Sequence, residues 1–69
     1  MTGKAVVELI LSLGGQKVRQ RGSHVQVRCG SCQTTVPVHA GEDLGKRLLR
    51  AIERDLEPAL GAGWLRRRR

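Results

Sequence analysis

Two histidines stand among basic and polar side chains between residues 17 and 39. His24 follows Arg19 and Arg21 and precedes Arg28, and His39 lies further along the chain. A neutral imidazole accepts a proton near pH 7, and a protonated imidazole donates one. These two steps are enough to cleave an RNA phosphodiester, because the ribose 2′-hydroxyl supplies the nucleophile. Neighbouring cations would neutralise the charge that develops on the phosphate. The alternative is that both histidines are ordinary polar residues on a half-exposed surface.

Cys29 and Cys32 form a C-x-x-C pair, which is half of many structural zinc sites. The other half is missing, because the chain has only these two cysteines. The strands predicted below also place both histidines on the face of the sheet opposite the cysteines. A zinc ion shared between two chains is left as an alternative. A thioredoxin-like role would require the pair at a helix N-terminus. We therefore expect buried, apolar cysteines and no metal or other cofactor.

Length and charge favour one small basic domain. The 69 residues carry 13 Lys+Arg against 6 Asp+Glu, a formal charge of +7, and one tryptophan as the sole aromatic residue. So short a chain excludes large cofactor-binding folds, and its core must be aliphatic. The charge favours a nucleic acid, an anionic membrane or an acidic protein as partner. The longest apolar stretch is too short to span a bilayer and lacks a cleavage site, so we expect a cytoplasmic protein without membrane contact.

Helical periodicity occurs at both ends of the chain. Thr2 is placed to cap a first helix, which Gly14 and Gly15 end. Residues 44–56 repeat apolar side chains at helical spacing until Pro58, which is predicted to end the second helix. Residues 58–69 lack periodicity. We therefore expect residues 1–69 to form a single domain with an ordered core at residues 2–57 and a basic tail at residues 58–69.

Between the helices the hydrophobic period changes to two. Turn signals at Arg21-Gly22 and Gly30-Ser31 predict strands at about residues 16–20, 23–29 and 32–38. The order α-β-β-β-α predicts an α+β fold, in which two helices cover one face of a three-stranded antiparallel sheet.

The turns also predict which residues oppose each other. Two-residue loops place Val25 opposite Val36, Val18 opposite Val25, and Arg19 opposite His24. One face is then apolar and buried, and the other is polar and open. A bulge of one residue in either hairpin would move part of this set to the other face.

The open face is expected to bind phosphate. By this register it gathers Lys17, Arg19, His24, Gln26, Arg28 and Thr35. His39 falls on the same face, because it follows Thr35 at an even spacing along the strand. It lies diagonal to His24, close enough for both imidazoles to approach one phosphate. Without Phe or Tyr the face cannot stack bases, which favours backbone contacts over single-strand reading. Lys46, Arg47 and Arg50 near the start of the second helix, and the arginines at residues 66–69, add further cations.

Four segments of the chain resemble, in order, the HicA-type mRNA interferase toxins of bacterial toxin–antitoxin systems: Thr2-Gly-Lys-Ala-Val-Val, Val18-Arg-Gln-Arg-Gly-Ser-His24, Thr35-Val-Pro-Val-His39 and residues 44–52. The resemblance covers residues 2–56, and Gly22-Ser23-His24 is its most specific element. It implies a fold like that of double-stranded-RNA-binding domains, endonucleolytic cleavage of mRNA, His24 as the catalytic residue and inhibition by a HicB-type antitoxin. The family often begins its second helix with a Pro-Gly-Thr-like sequence, where this chain has Lys46-Arg47-Leu48.

With this resemblance, the leading hypothesis is a metal-independent endoribonuclease toxin. His24 acts as general base or acid, and His39 assists. Contacts to RNA or its phosphates are assigned to Lys17, Arg19, Arg21, Gly22, Ser23, Gln26, Arg28 and Lys46. The expected partners are RNA and a HicB-type antitoxin. Two alternatives stay open: a non-catalytic RNA-binding module of the same fold, and a protein-binding adaptor stabilised by oligomerisation.

Overall fold

The computed structural model describes residues 1–66, which form two helices and one three-stranded sheet in the order α-β-β-β-α. The elements are α1 (Gly3–Ser12), β1 (Gln16–Arg21), β2 (His24–Cys29), β3 (Cys32–Pro37) and α2 (Lys46–Leu60). The sheet is antiparallel, with β2 between β1 and β3. The fold class predicted from the sequence is confirmed.

The first helix begins at the predicted cap. The Thr2 hydroxyl accepts a hydrogen bond from the Ala5 N–H at 3.1 Å, which satisfies one of the free donors at the helix start. After the helix, Gly15 allows β1 to start close to the core. A Cβ at this position would lie 2.5 Å from Ile10 Cγ2 and 2.7 Å from Cys29 Sγ. The glycine is therefore required by close packing between the end of α1 and β2.

The β2–β3 hairpin has the predicted register. Val25 opposes Val36, and Cys29 opposes Cys32 across the Gly30-Ser31 loop. Gly30 has φ +58°, the left-handed value that a type II′ turn requires at its first loop residue.

The β1–β2 hairpin does not have the predicted register. Its loop is Gly22-Ser23 rather than Arg21-Gly22, so Arg21 opposes His24 and Gln20 opposes Val25. Gly22 has φ +55°, and among the described residues only glycines have positive φ. The predicted loop would have put Arg21 at the position that needs this conformation, which is costly for a residue with a Cβ.

A bulge in β1 lies between Lys17 and Arg19 and corrects a second prediction. Lys17 opposes the buried Val27, so its side chain points to the helix side of the sheet and not to the open face. Its Nζ donates to Gln20 Oε1 at 3.5 Å on that same side. Val18 was expected in the core opposite Val25, yet it is 44% exposed. The extra residue of a bulge exchanges the faces of the residues that precede it.

The core lies between the two helices and one face of the sheet. The side chains with almost no exposure are Val6, Ile10, Val27, Val36, Ile52 and Leu56. A polar contact also joins the layers, because the buried Thr34 hydroxyl donates to Asp55 Oδ2 at 2.9 Å. The helix layer is thereby fixed to β3, and the opposite sheet face is left open.

Pro58 does not end α2, contrary to the prediction. The helix continues to Leu60, and Gly61 follows with φ +93° and donates its N–H to the Glu57 carbonyl at 2.7 Å. A proline so near the helix end removes one hydrogen bond, which would have reached the Arg54 carbonyl. Leu60 packs against the core and supports the last turn.

The segment after α2 joins the core instead of lying outside it. Trp64 and Leu65 are 2% and 6% exposed, and the Trp64 indole N–H donates to the Glu53 carbonyl at 2.8 Å. Arg66 Nε lies 3.4 Å from the Glu53 carboxylate. The ordered core therefore extends beyond residue 57, the boundary expected from periodicity. The remaining predicted basic run, residues 67–69, lies outside the described residues.

We predict that truncating two valines will lower the free energy of unfolding by very different amounts. Val36→Ala should lower the free energy of unfolding by about 2 kcal/mol, because it removes buried methyl groups and leaves a cavity. Val18→Ala should change it by less than about 0.5 kcal/mol, as expected of an exposed position. Urea denaturation of both variants measures the difference. Equal losses would contradict the bulge and favour the register predicted from the sequence.

Candidate nucleic-acid interface

His24 is the first residue of β2 and follows the Gly22-Ser23 loop directly. Its imidazole is exposed on the open face of the sheet. Arg21 opposes it on β1 and Pro37 opposes it on β3. Directly opposed side chains have Cβ atoms about 5 Å apart, so a guanidinium and an imidazole share one edge of the open face.

Two further arginines lie on the same face. Arg19 opposes Gln26, and Arg28 opposes Gln16 and Gln33, all of which alternate with the buried residues of the sheet. Among residues 1–66, neither Arg19, Arg21 nor Arg28 has an acidic partner. No Asp or Glu occurs in the sequence between Glu8 and Glu42. The open face is therefore cationic and contains no carboxylate of its own.

His39 lies just beyond β3, beside the loop that precedes His24. Its Nε2 is 3.5 Å from Ser23 Oγ. The backbone holds it there, because the Val38 N–H donates to the Ser23 carbonyl at 2.6 Å and the Glu42 N–H donates to the His39 carbonyl at 3.0 Å. The structure thus places His39 beside Ser23, the residue that directly precedes His24. The prediction that both imidazoles approach one phosphate stays a prediction.

The loop that carries Gly22 and Ser23 is held from within β1. Gln20 Nε2 donates to the Gly22 carbonyl at 2.9 Å. Ser23 is half-buried, with its hydroxyl toward His39. Sequence reasoning did not assign Gln20 this supporting role.

The predicted phosphate-binding residues fall into two groups. The larger group lies on the open face or in the loop at its edge, and consists of Arg19, Arg21, Gly22, Ser23, Gln26 and Arg28. Lys17 is excluded from that face by the bulge. Lys46 begins α2 and lines a groove with Met1, Leu49 and Arg50, in the helix layer. The structure therefore does not bring Lys46 together with the open-face arginines.

The two cysteines lie on the helix side of the sheet, at the end away from His24. Both thiols are free. Burial, and to a lesser extent the charge of Cys32, raises the pKa of the Cys29 thiol. Residues 1–66 contain no group of three or more His, Cys, Asp or Glu side chains arranged to hold a metal ion. In the same part of the chain, no helix has both the length and the apolar character needed to cross a membrane.

Comparison with protein families matches residues 3–57 to the family described as the HicA toxin of bacterial toxin–antitoxin systems. No curated protein and no solved structure matched the chain. The matched residues contain α1, the whole sheet with the His24 face, and α2 as far as Glu57. On this match, which covers most of the chain and agrees with the resemblance of its segments, the protein belongs to the HicA toxin family.

Proposed function

We propose that this toxin is an endoribonuclease that cleaves RNA, with mRNA as its substrate class, and that His24 is its catalytic residue. The observation that carries the proposal is the exposed His24 imidazole beside Arg21, on a sheet face where, among residues 1–66, three guanidiniums have no acidic partner and no carboxylate lies. Such a face attracts a polyanion and places a proton-transfer group within it.

The reaction uses the nucleophile that RNA supplies. A neutral imidazole removes the proton of a ribose 2′-hydroxyl, and the oxygen attacks the adjacent phosphorus. The bond to the 5′-oxygen breaks, and that oxygen takes a proton from a protonated imidazole. The products are a 2′,3′-cyclic phosphate and a 5′-hydroxyl. His24 performs one of these two proton transfers, and His39, beside Ser23, is proposed to assist with the other.

Arg21 is the cation best placed to stabilise the charge on the reacting phosphate, because it opposes His24 directly. Arg19, Gln26 and Arg28 extend the same face and would contact neighbouring phosphates. The single Phe, Tyr or Trp residue of the chain, Trp64, is buried, so the open face offers no phenyl or indole ring on which a base could stack. We therefore propose recognition mainly through the RNA backbone. A phosphate contact by Lys46 stays a prediction.

Membership of a toxin–antitoxin family implies an antitoxin partner. We propose that a HicB-type antitoxin inhibits cleavage by covering the His24 face, and that its surface there is acidic. Complementary charge would speed the association of the two proteins and exclude RNA from the same surface.

His24→Ala should abolish cleavage while leaving RNA binding largely intact. Loss of a positioned acid or base lowers the rate by about 10²–10⁴-fold. The assay follows a long RNA in EDTA with wild-type protein and the variant, and identifies the ends of the products. His39→Ala should retain more activity than His24→Ala. Recovery of 5′-phosphate ends would contradict the mechanism. Equal binding by wild type and variant with no cleavage by either would favour the non-catalytic RNA-binding module.

Arg19→Ala and Lys17→Ala provide a matched test of the open face, since both remove one cation from β1. Only Arg19 lies beside Gln26 on the open face. If it contacts one phosphate, Arg19→Ala should reduce the slope of log K against log salt by about 0.7 for a single strand. Lys17→Ala should leave the slope unchanged. Fluorescence anisotropy with a labelled RNA, in the His24→Ala background to prevent cleavage, measures both. A smaller slope for Lys17→Ala together with an unchanged slope for Arg19→Ala would place the RNA on the helix side of the sheet.

A further inference from the structure

A groove opens on the helix layer, between the N-terminus, α2 and the segment that follows α2. Its volume is about 560 Å³, within the range of pockets that hold drug-sized molecules. All the residues that line it come from α2 or from the two ends of the described chain, and none comes from a strand. Because both helices cover the buried face of the sheet, the groove lies on the opposite side of the molecule from the open face.

The groove combines an apolar floor with a cationic rim. Met1, Leu49 and Leu65 supply apolar surface, and Lys46, Arg50 and Arg66 surround it. Among residues 1–66, the carboxylate that lines the groove is that of Glu53, which is 4% exposed and is paired with Arg66 at 3.4 Å. Among residues 1–66, Lys46 and Arg50 have no acidic partner. The rim therefore carries uncompensated positive charge.

This chemistry selects among the available occupants. The three residues that follow Arg66 in the sequence are all arginines, so this segment has the same charge as the rim. A second copy of a chain with a formal charge of +7 would also be repelled. RNA phosphates would pair with the rim, but they would leave the apolar floor of Leu49 and Leu65 without a partner. An acidic segment with a bulky apolar side chain satisfies both parts.

We propose that this groove is a docking site for an acidic, amphipathic segment of the antitoxin. The carboxylates of that segment would pair with Arg50 and its neighbours on the rim, while an apolar side chain covers Leu49 and Leu65. The proposal rests on the family's antitoxin partner and does not require the ribonuclease mechanism. It adds a second contact to the one proposed at the His24 face. The contact in the groove would hold the antitoxin on the toxin, and the contact at the His24 face would inhibit RNA cleavage.

Charge reversal on α2 tests the proposal with a matched control. Arg50 lines the groove, whereas Arg54, which is also exposed and lies one turn further along α2, does not. The probe is the purified HicB-type antitoxin of this toxin, titrated by calorimetry at one ionic strength. Arg50→Glu should weaken binding by about tenfold or more, and Arg54→Glu by less than about threefold. Both variants should keep the wild-type midpoint of urea unfolding, because both side chains are exposed.

Hydrogen exchange on the wild-type complex provides an independent measurement. Antitoxin binding should protect backbone amides around Leu49, Arg50 and Leu65. Wild-type affinity in Arg50→Glu, equal weakening in both variants, or unchanged exchange in the groove would each overturn the proposal. Loss of RNA binding in Arg50→Glu with intact antitoxin binding would overturn it too and assign the groove to nucleic acid. If the wild-type toxin binds the antitoxin through this groove but the free toxin cleaves no RNA, only the proposed ribonuclease activity is overturned.

Discussion

The alternation of β2 is the constraint on which the rest of the structure depends. Val25 and Val27 are buried beneath the helices. Because successive side chains of a strand point to opposite faces, His24 and Arg28 must then face solvent. A slip of one residue in β2 would bury the histidine and expose the valines together. Packing of the core and presentation of the candidate site are therefore the same structural requirement, and a substitution that loosens one also disturbs the other.

The sequence predicted β2 and β3 well because two independent signals agreed there. Gly30 fixed the loop, and the alternation of valines with polar residues fixed the faces. In β1 all six residues are exposed, so hydrophobic pattern carried no information about register. Val18 was predicted to oppose Val25, a position that the structure gives to Gln20. The decisive signal was the conformation of Gly22, since a type II′ loop needs glycine at its first position. With Gly22 as the first loop residue, the register places Arg21 opposite His24.

The C-terminal segment shows why periodicity alone could not find the edge of the core. Residues 61–66 form no repeat, yet Trp64 is buried in the core, where its indole N–H donates to the Glu53 carbonyl, eleven residues earlier in the sequence. Such a contact depends on how the segment folds back over α2, which local pattern does not encode. The same holds for Pro58, where packing of Leu60 against the core outweighs the local tendency to end the helix. In both places tertiary contacts override local preference.

The groove and the open face differ in how the family pattern constrains them. The sheet with His24 lies wholly within the matched residues 3–57, whereas Met1, Leu65 and Arg66 lie outside them. The hydrogen bond from Trp64 to Glu53 positions Leu65 and Arg66 against α2, so the wall of the groove depends on residues that the family match does not include. If the groove binds the antitoxin, changes there can alter the choice of partner without touching the residues proposed for catalysis. A toxin with this arrangement can keep one chemistry on the sheet while the helix side distinguishes its own antitoxin from others, because specificity depends on the difference in affinity between partners.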